Sequence, residues 1–210
     1  MLAEAGAGKE HLTIGGAKEP PVFSKPVRFN PSRLRRVFSF GLQLFTTIGM
    51  NQPPREKIEF RAAAPEDAAA IRALTREAYA KWVPAIGREP LPMSTDYEQA
   101  IPTHRFDLLF VEARLVGLIE TAQQEGGLLI VNVAVAPSRQ GRGYGGRLLR
   151  HAEALASSLG VREIRLYTNE KFAANVALYH RFGYRVDREE PFMGGTTVHM
   201  SKRLPNGTHS

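Results

Sequence analysis

The stretch "APSRQGRGYGGRLLRHAEAL", residues 136–155, decides how the rest of the chain is read. It runs from the end of an apolar segment, through a polar glycine-rich turn, into a helical pattern. Gly141, Gly143 and Gly146 spell G-x-G-x-x-G, and Glu163 stands near the offset at which a ribose-binding carboxylate is sought. Glycines at 141, 143, 145 and 146 allow positive φ and clear side chains from an approaching ligand. The turn opens directly into a helix, so free N–H groups and the positive end of the helix dipole face one point. Arg139 and Arg142 add charge there. These features together ask for a phosphate ligand. The alternative is a tight strand-to-helix turn that uses glycine only for packing.

Context rules against a nicotinamide dinucleotide. That fold needs the glycines hard against the first strand of a repeated βαβ sheet. Here Pro137, Ser138, Arg139 and Gln140 intervene, and only about 65 residues follow the last glycine. Upstream, "EKIEFRAA" alternates as a strand. "PEDAAAIRALTREAYAKWV" places Ile71, Leu74, Ala78 and Tyr79 on one side of a helix, with Pro65 in its first turn. A proline-rich stretch breaks it, and "STDYEQAI" reads as a short helix capped by Ser94 or Thr95. "RFDLLFVEA" and "RLVGLIETAQ" form a hairpin turning near Ala113 and Arg114. "LLIVNVAVAP" is the most apolar strand and is expected at the centre of the sheet. A helix over 144–158 closes at Gly160, "REIRLYT" is a strand, and "KFAANVALYHRF" is a helix ended by Gly183. "YRVDREE" and "TTVHMSKRL" finish the chain as strands. The order β-α-α-β-β-β-α-β-α-β-β holds antiparallel hairpins before a single parallel crossover.

Composition narrows the classes further. The chain has 210 residues, 43% hydrophobic and 23% charged, which suits one globular domain with an appendage. The absence of cysteine removes disulfides and thiolate catalysis, and a reducing cytoplasm fits. Residues 1–49 carry seven Lys/Arg against three Asp/Glu, so they hold +4 of the net +7. The remainder is only mildly basic, which disfavours nucleic acid as a partner. No apolar run is long enough to span a membrane. Residues 1–49 are rich in Gly and Pro and read as poorly structured or as an upstream extension, with Met50 as a natural start. Within them, Phe38, Phe40, Leu42 and Leu44 fit either a short strand or an amphipathic helix. Residues 50–210 form the single folded domain.

The segment "VAVAPSRQGRGYGGRLL" resembles the acetyl-coenzyme A signature of the GNAT superfamily of N-acetyltransferases, Q/R-x-x-G-x-G/A, through Gln140, Gly143 and Gly145. The resemblance extends over the order of elements from about residue 57 to 203, including "NVALYHRFGYR", and leaves residues 1–49 without a counterpart. It implies an α/β fold: a mixed central sheet with an antiparallel N-terminal meander, one parallel βαβ crossover and flanking helices. It further implies that the apolar strand splays from its parallel neighbour, so that the backbone of Val133, Ala134 and Val135 pairs with the pantetheine amides. The loop from Gln140 through Gly141, Arg142, Gly143, Tyr144, Gly145 and Gly146 would receive the pyrophosphate.

Acyl transfer to an amine needs an unprotonated amine, a polarised carbonyl and a proton for the departing thiolate. By the resemblance, the acid is Tyr179, with Tyr167 and Tyr184 as weaker candidates. Asn175, one turn before Tyr179, is placed to bond the coenzyme arm. Relatives often carry an asparagine seven residues before the tyrosine, where this chain has Phe172, so Asn169 stays a rival. Glu120 is the candidate base, acting through a water, while a surface-facing glutamate or a bare water chain would serve the sequence equally well. His104 and His199 are further options, and no histidine spacing suggests a metal. Residues 81–101, with the lone tryptophan Trp82, are expected to border the acceptor. The reading is therefore an acetyl-CoA-dependent N-acetyltransferase acting on a small-molecule or peptide amine, cytoplasmic, with a homodimer as an option. A non-catalytic acyl-CoA sensor on the same fold is the alternative.

Overall fold

A computed structural model describes residues 56–205. The expectations for residues 1–49 lie outside the described residues. The seven strands are β1 (Ile58–Ala62), β2 (Arg105–Val111), β3 (Arg114–Gln124), β4 (Gly127–Val135), β5 (Glu163–Asn169), β6 (Arg185–Phe192) and β7 (Gly195–Arg203). They form one sheet in the order β1-β2-β3-β4-β5-β7-β6. Only β4 and β5 are parallel neighbours. The helices are α1 (Ala68–Tyr79), α2 (Val83–Ile86), α3 (Tyr97–Ala100), α4 (Tyr144–Ser158) and α5 (Ala173–Arg181). This is the mixed α/β sheet expected, with β4 at its centre.

Period-two alternation sends each strand's side chains to two apolar layers. On one face, Leu109, Ile119, Leu128, Ile164 and Leu166 pack against Leu148, Leu149 and Ala152 of α4. On the other, Phe106, Leu108, Leu118 and Ala134 pack against Ile71, Leu74 and Ala78 of α1. Both faces of the central strands are covered, which is why β4 reads as a nearly continuous apolar run.

Local chemistry sets the ends of the elements. The Asp67 carboxylate accepts from Ala64 N–H at 2.8 Å and grips Arg61 with two bonds of 2.7 Å, fixing the entry to α1. The cap of α3 is Asp96, whose Oδ1 accepts from Gln99 N–H at 3.2 Å. Ser94 and Thr95, the residues expected there, instead donate their hydroxyls back to the Leu91 carbonyl. The β2–β3 turn is made by Glu112 and Ala113, both at positive φ, so it falls one residue earlier than expected.

One irregularity builds the site. The parallel β4–β5 pairing runs only from Leu128–Ile164 to Ile130–Leu166. Both strands continue beyond it, β4 to Val135 and β5 to Asn169, so their ends diverge. The β3–β4 register shifts at the same level: Glu120 pairs with Asn132 and Thr121 with Ile130, leaving Val131 as a bulge.

Candidate active site

The splay leaves backbone groups of β4 free. Ala136 N–H bonds to Val116 O on the β3 side at 2.9 Å, and Leu118 pairs with Ala134. In an antiparallel ladder alternate residues turn toward the same neighbour. The backbones of Ala134 and Ala136 are thus engaged with β3, while those of Val133 and Val135 face the gap toward β5. The Val135 carbonyl accepts from Gln140 Nε2 at 2.9 Å, and the Val133 carbonyl lies 3.4 Å from Tyr79 Oη. Of the three residues expected to pair with pantetheine, Val133 and Val135 have backbone groups directed into the cleft and Ala134 does not.

The glycine loop separates into two roles. Gly141 and Gly143 have φ of +76° and +82°, left-handed conformations that L side chains seldom adopt. Gly143 is the N-cap of α4. Among the described residues, no backbone acceptor takes the N–H groups from Gly141 to Gly146, and the first helical bond is Arg147 N–H to Gly143 O at 3.1 Å. Gly145 and Gly146 instead lie against α5: an added Cβ would fall 3.2 Å from Leu178 Cδ2 and 2.5 Å from Phe182 Cζ. Their small size lets α4 approach α5 and Phe182 closely, and both glycines also line the cleft.

The remaining loop residues hold it in place. Gln140 bridges the Val135 carbonyl and Lys81, whose Nζ donates to Oε1 at 2.6 Å. Tyr144 is buried beside the cleft it helps to line, and its hydroxyl donates to Glu56 Oε2. Arg139, Lys81 and Arg181 line the cleft as cations, whereas Arg142 is exposed and is not among the lining residues. Glu163 begins β5, while the loop follows the far end of the parallel strand β4, so the ribose-acid reading fails on position. Its carboxylate pairs with Arg165.

Two cavities meet at the splay. The larger, about 410 Å³, runs from the glycine loop along Val133–Val135 to α5. The smaller, about 100 Å³, lies between the ends of β4 and β5 and the chain around Ile86–Pro92. They share Tyr79, Val133, Asn175 and Tyr179. Tyr179 is 6% exposed, and its hydroxyl has no hydrogen-bond partner among the described residues. Burial pushes its phenol up to about 12. Tyr167 lines the smaller cavity, whereas Tyr184 lines neither, being buried in the core with its hydroxyl unpartnered. Asn169 also lines the smaller cavity, but its Oδ1 accepts from Lys171 N–H as a local cap. Asn175 lines both cavities.

Glu120 stands apart. It is 3% exposed, its Oε1 lies 2.6 Å from His104 Nδ1, and it lines neither cavity. His199 is likewise held by a carboxylate, Glu190, at 2.8 Å. Two residues that sequence reasoning did not single out sit in the smaller cavity: Asn132 and Arg88. Asn132 Oδ1 accepts from Tyr79 Oη at 2.9 Å, and its Nδ2 reaches Tyr97 Oη at 3.4 Å. As the one polar residue inside "LLIVNVAV" it had a signal of its own. Trp82 stacks on Phe172 at 4.6 Å and borders the larger cavity, while Ile86, Arg88 and Pro90 to Pro92 of the same segment line the smaller one.

A splayed parallel pair with a backbone-lined cleft, a positively charged glycine turn and a phenol at the junction defines an acyl-coenzyme A cleft. The chain matches the model of the Acetyltransferase (GNAT) family over residues 69–184, more than half of its length, and belongs to that family. The co-substrate of that family is acetyl-CoA, and the residues present fit it: β4 turns the backbone of Val133 and Val135 toward the cleft, and the loop offers N–H groups that no backbone acceptor takes among the described residues. The N-acetyltransferase PaiA from Thermoplasma acidophilum, solved with coenzyme A, is similar in fold, with a TM-score of 0.62 at 21% identity over 70% of this chain and 99% of that one. The ribosomal-protein-S18-alanine N-acetyltransferase from Escherichia coli gives 0.59 at 18% identity over 72% and 98%. YncA from Salmonella typhimurium, solved with acetyl-CoA, gives 0.58 at 18% identity over 71% and 95%.

Proposed function

We propose that the chain is an N-acetyltransferase that moves the acetyl group of acetyl-CoA to a primary amine of a small molecule or peptide. The observation that carries this reading is the junction of two cavities at a buried, unpartnered phenol. Val133 and Val135 hold the pantetheine arm by main-chain pairing, with Asn175 beside it. The amides of Gly141 through Gly146 hold the pyrophosphate, with Arg139 and Arg181 supplying positive charge. Tyr179 donates its phenolic proton to the thiolate as the C–S bond breaks and the C–N bond forms. The amine loses its proton to solvent. Glu120, register partner of Asn132, acts as a positioning residue behind the Tyr79–Asn132 pair. The lack of cysteine supports a cytoplasmic setting.

Two measurements test the proposal. Calorimetry with acetyl-CoA is expected to give saturable binding, and a panel of amines is expected to include one that releases free thiol from acetyl-CoA. Absence of binding would overturn the coenzyme reading; binding with no turnover on any amine would favour a sensor.

A further inference from the structure

We infer that the acceptor is a small amine that also bears a carboxylate, an α-amino acid with an apolar side chain, and that Arg88 binds this carboxylate. The inference rests on the proposed acetyl transfer and deepens it. The acceptor cavity, at about 100 Å³, is well below the roughly 300–1,000 Å³ of pockets that hold drug-sized ligands. Its walls are largely apolar, with Ile86, Leu91, Leu166 and Phe192 among them. Among the described residues Arg88 is its one charged lining residue, and neither Asp nor Glu lines it. A polyamine or an aminoglycoside would bring several ammonium groups against a like charge with no counter-ion.

Among the described residues the guanidinium of Arg88 has no partner of opposite charge. Gly87, at φ +73°, ends α2 and turns the chain so that Arg88 reaches the cavity wall. Its Nη1 donates only to the neighbouring Glu89 carbonyl at 3.2 Å, and its Nε is buried with no acceptor. The nearest acid in sequence, Glu89, is taken by Arg76 at 2.6 Å. The guanidinium carbon lies over the Phe192 ring, 5.9 Å from its centre, an apolar face that leaves its charge without a counter-ion. Buried N–H groups without acceptors are rare in folded proteins, and a carboxylate supplies two parallel acceptors to a guanidinium edge.

The test compares acetylation of L-leucine and the other apolar amino acids with their carboxamides and with spermidine, on wild-type protein and on Arg88→Gln and Arg88→Lys. An amino acid is expected to exceed its amide about 100-fold in kcat/KM, the ratio expected when a buried charged donor loses its acceptor. Arg88→Gln should abolish that preference through KM, and Arg88→Lys should restore part of it. Calorimetry with N-acetyl-L-leucine and N-acetyl-L-leucinamide gives a second readout that needs no turnover, and the carboxylate form should bind more tightly only when Arg88 is present. If amides or spermidine are acetylated as well as the amino acids, or if Arg88→Gln keeps the preference, the inference is overturned while acetyl transfer stands. Failure of acetyl-CoA binding would overturn the transferase reading itself.

Discussion

Tyr179 stays protonated through neutral pH, with burial raising its phenol to about 12, so the proposed acid holds its proton until the thiolate forms. Tyr179→Phe should lower kcat by about 10²–10⁴-fold with acetyl-CoA affinity unchanged. The shape of the pH–rate profile below pH 10 should not change, because the phenol does not titrate there; steady-state kinetics on both proteins checks this. Tyr179 was named through the family resemblance and Asn175 through its place one helical turn earlier, and both line the junction of the two cavities. The place of Glu120 was not legible. Alternation assigns a strand residue to a face, but it says nothing of what covers that face, and here His104 closes over the carboxylate. Glu120→Gln, assayed by denaturant midpoint and by kcat, should lower stability by about 1–3 kcal/mol by weakening a buried charged hydrogen bond, and change kcat by only a few-fold. A fall in kcat of a hundredfold in a normally folded variant would instead make it the base. Arg88 escaped notice because an arginine in a proline-rich stretch carries no periodic signal.

The loop, α4 and α5 form the element on which the proposed coenzyme binding turns. Four glycines close in sequence looked equivalent, yet only backbone geometry separates Gly141 and Gly143, which adopt positive φ, from Gly145 and Gly146, which face α5. Gly146→Ala would place a methyl carbon 2.5 Å from Phe182 Cζ and push the helices apart. It should cost about 1–3 kcal/mol of stability, read as a shift in denaturant midpoint, and Phe182→Leu should recover part of the loss. Gly143→Ala has open space around it but must hold φ near +82°, at a cost of about 1–2 kcal/mol. Relaxation of that strain would turn the amides away from the pyrophosphate, so this variant should raise the dissociation constant for acetyl-CoA more than it lowers the melting temperature. Calorimetry and thermal unfolding on the pair distinguish the two roles. Helix and strand boundaries here were legible because periodicity and glycine stops agree. The divergence of β4 from β5 was expected only through the family resemblance, since Val131, Val133 and Val135 stay apolar past the last paired residue and nothing in the pattern itself marks where pairing ends.

Across the whole molecule, the two apolar layers enclose a set of phenols whose ionisation links folding to pH. Burial raises Tyr97 and Tyr179 from 10.0 to about 12 and raises Tyr79 and Tyr184 further. In each case the folded state keeps a proton that the unfolded chain releases near pH 10. Stability from these groups is therefore complete below pH 10 and declines as pH rises through the folded values. For a phenol moved from 10.0 to about 12 the linked loss is roughly 3 kcal/mol, against a total of about 5–15 kcal/mol for a typical domain. At the acid end Asp107 behaves oppositely: burial acts to raise its carboxyl, but bonds from His151 and Arg105 outweigh this and lower it. Its contribution is present above pH 3.8 and is lost as pH falls through the depressed value. The protein should accordingly hold a stable plateau through neutral pH and unfold cooperatively between pH 10 and 12. Tyrosinate absorbance should then appear in one step together with loss of circular dichroism, and Tyr179→Phe should make the decline less steep. Gradual ionisation of these tyrosines near pH 10 with the fold intact would contradict their enclosure.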